Sequence, residues 1–277
     1  MTLSKRQFEE FGDTGLLCLR GAIPSAAVMR HHVCEFLERE HGFVVDQAQI
    51  SIPKKLTMSF RELRLRDCFA DLAHAAPLVS ELLHDRPWKR PRHWGTVLFT
   101  LPNATNWTLP HKLWHLDLPR FAMDQFGTPG VQLFLCLKTV RPGGGATLAI
   151  AGSHRIGNDL GHDLGSAPYR QHLARRHPWF RELFARQSRP NRTARFTCTT
   201  EVGGIPLEVV ELTGEPGDLY LMDMRMLHVA APNASGTARI MLSERLILEE
   251  ARRRVYPSSA ALTPPHGSST NPTCVSS

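Results

Sequence analysis

The sequence has no apolar run approaching the roughly 20 residues that a membrane-spanning helix needs. Its opening, MTLSKRQFEEFGD, is polar and amphipathic and carries no apolar stretch of the signal-peptide kind. A cytoplasmic setting is therefore expected. The six cysteines (Cys18, Cys34, Cys68, Cys136, Cys198, Cys274) are scattered and none forms a CxxC pair. That pattern argues against a zinc finger and against a disulfide framework. Cys18 and Cys136 lie in apolar runs and read as small buried hydrophobes. Internal repeats are absent. So is the low hydrophobicity of a disordered chain, since 42% of the residues are hydrophobic. With 277 residues the chain can bury a sizeable core.

Excess charge is also missing, except in one place. The formal net charge is +7, and residues 170–195 carry eight Arg against one Glu, which accounts for all of it. The basicity is thus local, and a nucleic-acid partner is not expected. Within this stretch HPWF (177–180) sets aromatics among the arginines. One reading is a lid that recognises an anionic substrate, with Arg175 and Arg176 as its contacts. The other is a solvated helix whose charges only keep the protein in solution.

Twenty Gly and twenty Pro predict many turns. Ser4 can cap a short helix to about Phe11 that ends near Gly12 and Gly15. LLCLRGAI (16–23) reads as a strand, and AAVMRHHVCEFLERE as a helix opened by Pro24-Ser25. His31 and His32 on that helix read as solvent-facing. FVVDQAQISI, within the ambiguous stretch 41–65, has strand character. From Cys68 to Leu83 the pattern is helical, with a new helix starting at Pro77. The β-type segments are GTVLFTL (95–101), VQLFLCLKT (131–139), TLAIA (147–151), LEVVELT (207–213), DLYLMD (218–223), RMLHVAA (225–231) and ARIMLSERLIL (238–248). PNASG (232–236) reads as a hairpin turn between the last two. Residues 255–277, rich in Ser, Thr and Pro, read as a flexible tail.

Helices first and many antiparallel-type strands after them give an α+β chain. The expected core is a double-stranded β-helix, a jelly-roll of cupin-like form, flanked by N-terminal helices. It would be a single domain over 1–254, with an Arg-rich insertion at about 155–206.

The chemistry concentrates in HKLWHLDLP. If this segment is extended, His115 and Asp117 share one face. With a distant His they would form the 2-His-1-carboxylate facial triad of non-haem iron sites, which leaves open coordination positions. His228, inside the apolar run RMLHVAAP, meets that demand. Arg239 follows across PNASG, which would fold its strand back beside His228. A cation inside a barrel needs an anion, and a guanidinium matches a carboxylate bidentately. The distal carboxylate of 2-oxoglutarate is such an anion. Trp114 flanks the ligands and is a further candidate substrate contact, although strict extension would turn it to the opposite face.

Several segments together carry a family likeness: QFEEFGDTGLLCLRGAIP, WHLD, GGGATLAIAGSHR and GDLYLMDMRMLHVAAPNASGTARIMLSERL. In this order the chain resembles the phytanoyl-CoA dioxygenase-like oxygenases that depend on Fe(II) and 2-oxoglutarate. The resemblance implies His115, Asp117 and His228 as iron ligands, Arg239 as the anchor of 2-oxoglutarate, and Thr147 as a hydroxyl near the co-substrate. It also implies O2 as oxidant and hydroxylation of an unactivated C–H bond in a small molecule, such as a carboxylate or thioester of specialised metabolism, with release of succinate and CO2. Asp117 stands where related halogenases carry a small residue, which favours oxygen insertion. Ala230 departs from the serine that several members use toward 2-oxoglutarate, so that contact must come from elsewhere. His154, after a Gly-Ser turn, is expected to be structural. The competing reading is a non-catalytic jelly-roll module that binds nucleic acid or an acidic protein through the basic segment.

Overall fold

The computed structural model describes residues 2–45, 59–60, 63–186 and 191–257. Helix α1 (Lys5–Thr14) begins with a capping box: Ser4 Oγ accepts from the Gln7 amide, and the Gln7 side chain accepts from the Ser4 amide. It ends at Gly15, whose φ of 75° is the left-handed cap that glycine supplies without strain. Strand β1 (Leu16–Leu19) and helix α2 (Ala26–His41) follow. His31 and His32 are on the outer side of α2 and both face Glu35. Most of the ambiguous stretch, including the proposed strand in FVVDQAQISI, lies outside the described residues. A 3₁₀ helix (Leu63–Ala75) then gives way to α3 (Ala76–Leu82), with Pro77 in its first turn as the sequence predicts.

Two antiparallel sheets form the body. The major sheet has the order β1-β8-β4-β10-β3-β2, built from β2 (Ser59–Phe60), β3 (Thr96–Thr100), β4 (Gly130–Cys136), β8 (Leu219–Asp223) and β10 (Arg239–Ile247) beside β1. The minor sheet has the order β6-β7-β5-β9, built from β5 (Thr147–Ala151), β6 (Thr200–Val202), β7 (Ile205–Glu211) and β9 (His228–Ala230). Strand β6 falls in a stretch for which the sequence gives no strand signal.

Three apolar layers fix the arrangement. The outer face of the major sheet (Leu17, Leu133, Leu135, Leu221, Ile240, Leu242) packs under α2, α3 and the 3₁₀ helix. The inner layer holds Phe134, Cys136, Tyr220, Met222 and Met241 of the major sheet together with Ala149. The outer face of the minor sheet (Leu148, Ile150, Leu207, Val209) is covered by α4 (Ser166–Arg176), α5 (Pro178–Phe184) and α6 (Arg192–Thr197). Strand β4 is buried on both faces, which explains its near-continuous apolar sequence. Helix α7 (Glu249–Val255) closes the described chain. Among the described residues no helix is long and apolar enough to cross a membrane, and the five cysteines described are free thiols.

Two expectations need correction. PNASG does not close a hairpin: β9 pairs with β5, whereas β10 lies between β4 and β3 in the other sheet. The turn carries the chain from one sheet to the other. Buried Asn233 holds it there, donating from its amide to the Thr100 and Thr237 carbonyls. The Arg-rich segment also differs from a lid beside the ligands. Its aromatics, Trp179, Phe180 and Phe196, are core residues over the minor sheet's outer face.

Candidate metal and co-substrate site

WHLDLP is not a regular strand. Leu113 has a φ of 66°, and only His115 makes a ladder pair, an antiparallel bridge to His228 with N···O distances of 2.9 and 3.0 Å. This bridge adds His115 to the edge of the minor sheet beside β9. The chain then bends and brings Asp117 to the same point. The ligand-type atoms of His115, Asp117 and His228 all lie within 4.8 Å of one another. His115 Nε2 is 3.9 Å from Asp117 Oδ1, and His228 Nε2 is 3.7 Å from Asp117 Oδ2.

Both imidazoles are held in a state that could ligate a metal. Nδ1 of His115 lies 2.9 Å from the Leu113 carbonyl, and Nδ1 of His228 lies 3.2 Å from the Met226 carbonyl. A carbonyl only accepts, so each Nδ1 carries the proton and each Nε2 presents a lone pair. Burial pushes the His228 ring down to about 4, so it is neutral at pH 7. Burial alone would raise the Asp117 carboxyl. The positive surroundings, above all the Arg245 guanidinium that is both charged and hydrogen-bonded to it, hold it below the ordinary carboxylate value. Arg245 contributes a two-pronged ion pair, with Nε 2.7 Å from Oδ2 and Nη2 2.8 Å from Oδ1.

These residues line a cavity of about 550 Å³ between the sheets, and Arg239 lines it too. Strand alternation puts Arg239, Met241, Ser243 and Arg245 on one face of β10. Arg239 is 4% exposed. Its guanidinium donates to Thr100 Oγ1 at 2.8 Å from Nη2, and Nη1 lies 3.5 Å from Thr147 Oγ1. No carboxylate among the described residues pairs with it. Desolvation lowers its pKa to about 10, and it remains a cation at pH 7. A buried cation beside two hydroxyls and no anion has the chemistry to take a carboxylate. The donor set and this receptor fit a divalent metal together with a dicarboxylic keto-acid.

Other expected residues lie elsewhere. Trp114 is fully buried in the minor-sheet core and donates Nε1–H to the Pro110 carbonyl, 3.0 Å away; it does not line the cavity. Arg175 and Arg176 are exposed in the last turn of α4, Arg176 pairs with Asp159, and neither reaches the cavity. The reason is common to all three: the helices that follow the site lie over the outer face of the minor sheet. His154 is buried, with Nε2 3.0 Å from the Gly12 carbonyl. Ala230 lines the cavity without a polar group. Thr100 and Arg245 escaped the sequence reading. The alternation of ARIMLSERL places Arg245 on Arg239's face, but the pairing of β3 with β10 that delivers Thr100 has no local signal.

The family model described as phytanoyl-CoA dioxygenase (PhyH) matches residues 40–241. Comparison with curated proteins gave no significant match. Among solved structures the chain resembles SnoN, described as a non-haem alpha-ketoglutarate-dependent epimerase from nogalamycin biosynthesis (TM-score 0.52, 17% identity, 88% of this chain and 82% of SnoN). It also resembles EvdO2 from Micromonospora carbonacea var. aurantiaca complexed with 2-oxoglutarate (TM-score 0.51, 16% identity, 89% and 92%). With EvdMO1 it shares a TM-score of 0.53 at 18% identity over 87% of its length, but it spans only 49% of EvdMO1.

Proposed function

We propose that this chain, which belongs to the phytanoyl-CoA dioxygenase family and works with Fe(II), 2-oxoglutarate and O2, hydroxylates an unactivated C–H bond of a small metabolite with release of succinate and CO2. His115, Asp117 and His228 are the residues that would hold iron. Arg239, with Thr147 and Thr100, would take the distal carboxylate of 2-oxoglutarate. The Thr100 hydroxyl supplies the polar contact that Ala230 lacks. When bound, iron and 2-oxoglutarate supply the oxidising power for C–H cleavage.

The protein's own part is positional. The two Nδ1–carbonyl contacts fix the imidazole orientations. The neutral His228 needs no deprotonation before it ligates at pH 7. The cavity between the sheets buries His228 and Arg239 while leaving the His115 side open to an entering substrate. Residues 1–254 are read as one catalytic domain, with the helices of 155–206 inserted over the minor sheet. The observation that carries the reading is the buried Arg239 guanidinium, which has two hydroxyls beside it and no carboxylate partner.

Formation of succinate from 2-oxoglutarate with Fe(II) and O2 tests the reading. Turnover is expected in the native protein and not in Asp117→Ala. Mass spectrometry of converted substrate should show a gain of one oxygen. An unchanged mass would replace hydroxylation with an isomerising outcome, and no succinate at all would overturn the reading.

A further inference from the structure

Arg245 is the least expected feature of the site. It sits on the cavity-facing side of β10, and its side chain is 53% exposed, whereas the side chain of Asp117 is 5% exposed. Its guanidinium meets the carboxylate edge-on, one nitrogen to each oxygen, at 2.7 and 2.8 Å. In that fork the guanidinium lies in the carboxylate plane between the two oxygens. A metal chelated by both oxygens would have to occupy the same place.

We propose that Arg245 is a positioning residue that blocks the chelating edge of Asp117 and confines it to ligation through a single oxygen. This rests on the assignment of His115, Asp117 and His228 as the iron ligands. The consequence is a matter of counting. A six-coordinate metal held by three single-atom protein ligands would keep three positions, enough for the keto-acid end of 2-oxoglutarate and for O2. A chelating carboxylate would remove one of them. With its chelating edge taken, Asp117 still has a lone pair on each oxygen, and those oxygens face the Nε2 atoms of His115 and His228. Arg245 hydrogen-bonds Asp117 and neither imidazole, and its charge also bears on His228, so the Lys variant, which keeps the charge, separates the fork from the field.

The test uses the full chain under anaerobic conditions with Fe(II) and 2-oxoglutarate as probes. The weak visible charge-transfer band of the ternary complex reports 2-oxoglutarate binding, and equilibrium dialysis reports Fe(II) binding. In Arg245→Ala the Kd for 2-oxoglutarate is expected to rise by about tenfold or more, while Fe(II) affinity is kept or increased. Arg245→Lys keeps the charge but loses the fork, and should show the same loss. Because the side chain is half exposed, added methylguanidinium should restore the band in Arg245→Ala.

Three results would overturn the proposal. Variants that bind 2-oxoglutarate within twofold of the native protein would do so. So would parallel loss of Fe(II) and 2-oxoglutarate binding, which marks a merely structural role, and so would a Lys variant that behaves as native, which would reduce the effect to charge. If the native protein itself gave no band, the assignment of the iron ligands would fail first, and that failure is separate from this one.

Discussion

Arg239 is the residue on which the co-substrate assignment turns. Removing its charge takes away charge-assisted hydrogen bonds worth roughly 1.5–3 kcal/mol each, so Arg239→Met should weaken 2-oxoglutarate by about a hundredfold. The same change relieves an unpaired buried cation, so the melting temperature of the ligand-free protein should hold or rise. Isothermal titration and a thermal melt check the two halves, and a variant that binds 2-oxoglutarate normally would contradict the assignment. His154 gives a second residue-scale expectation. Burial holds its ring below the ordinary value of 6.5, so the folded form resists the proton that the unfolded chain accepts. Stability should therefore fall as the pH drops below about 6.5. His154→Gln, whose amide can still donate to the Gly12 carbonyl, should flatten that slope in melts taken across this range. The meeting of His115, Asp117 and His228 was legible in the sequence because their residue types and a dipeptide spacing carry the chemistry. Arg245 and Thr100 were not, because their roles arise from cross-strand register.

Among the elements, α1 is tied to the site's framework through its C-terminus. Gly152 donates to the Thr14 carbonyl at 2.7 Å and Asp223 to the Gly15 carbonyl at 2.8 Å, while His154 caps the Gly12 carbonyl. A Cβ on Gly15 would lie 2.6 Å from His154 Nδ1 and from Met226 Sδ, at a φ of 75°. Gly15→Ala should therefore cost on the order of 2 kcal/mol and lower the melting temperature measurably. It should act on iron binding only indirectly, through Met226, whose carbonyl orients His228. Helices α1, α2 and α3 were readable from caps and proline. The crossing from β9 to β10 was not, since PNASG has hairpin composition and only the buried Asn233 amide reveals that it bridges sheets. The aromatics of HPWF were likewise ambiguous, because the minor sheet that buries them is assembled from distant segments.

At the scale of the molecule, two sheets enclose a cavity while helices cover both outer faces. The basic helices α4–α6 cover the minor sheet on its far side, which removes the structural motive for a lid built on Arg175 and Arg176. Substituting both with Gln should leave 2-oxoglutarate turnover within about twofold, the scale of most surface changes; a large rise in the substrate KM would restore the lid. Ligand linkage gives a further whole-molecule test. At 100 times its Kd, 2-oxoglutarate should add about 2.7 kcal/mol to the metal-loaded native protein, a gain of several degrees in melting temperature that Arg239→Met should not show. The central claim is that His115, Asp117 and His228 form one iron site whose open positions accept 2-oxoglutarate. It is tested most directly by adding Fe(II) and then 2-oxoglutarate without oxygen and recording the visible spectrum. The account requires the charge-transfer band in the native protein and its loss in both Asp117→Ala and His228→Ala; a native protein without the band, or either variant retaining it, would contradict the account.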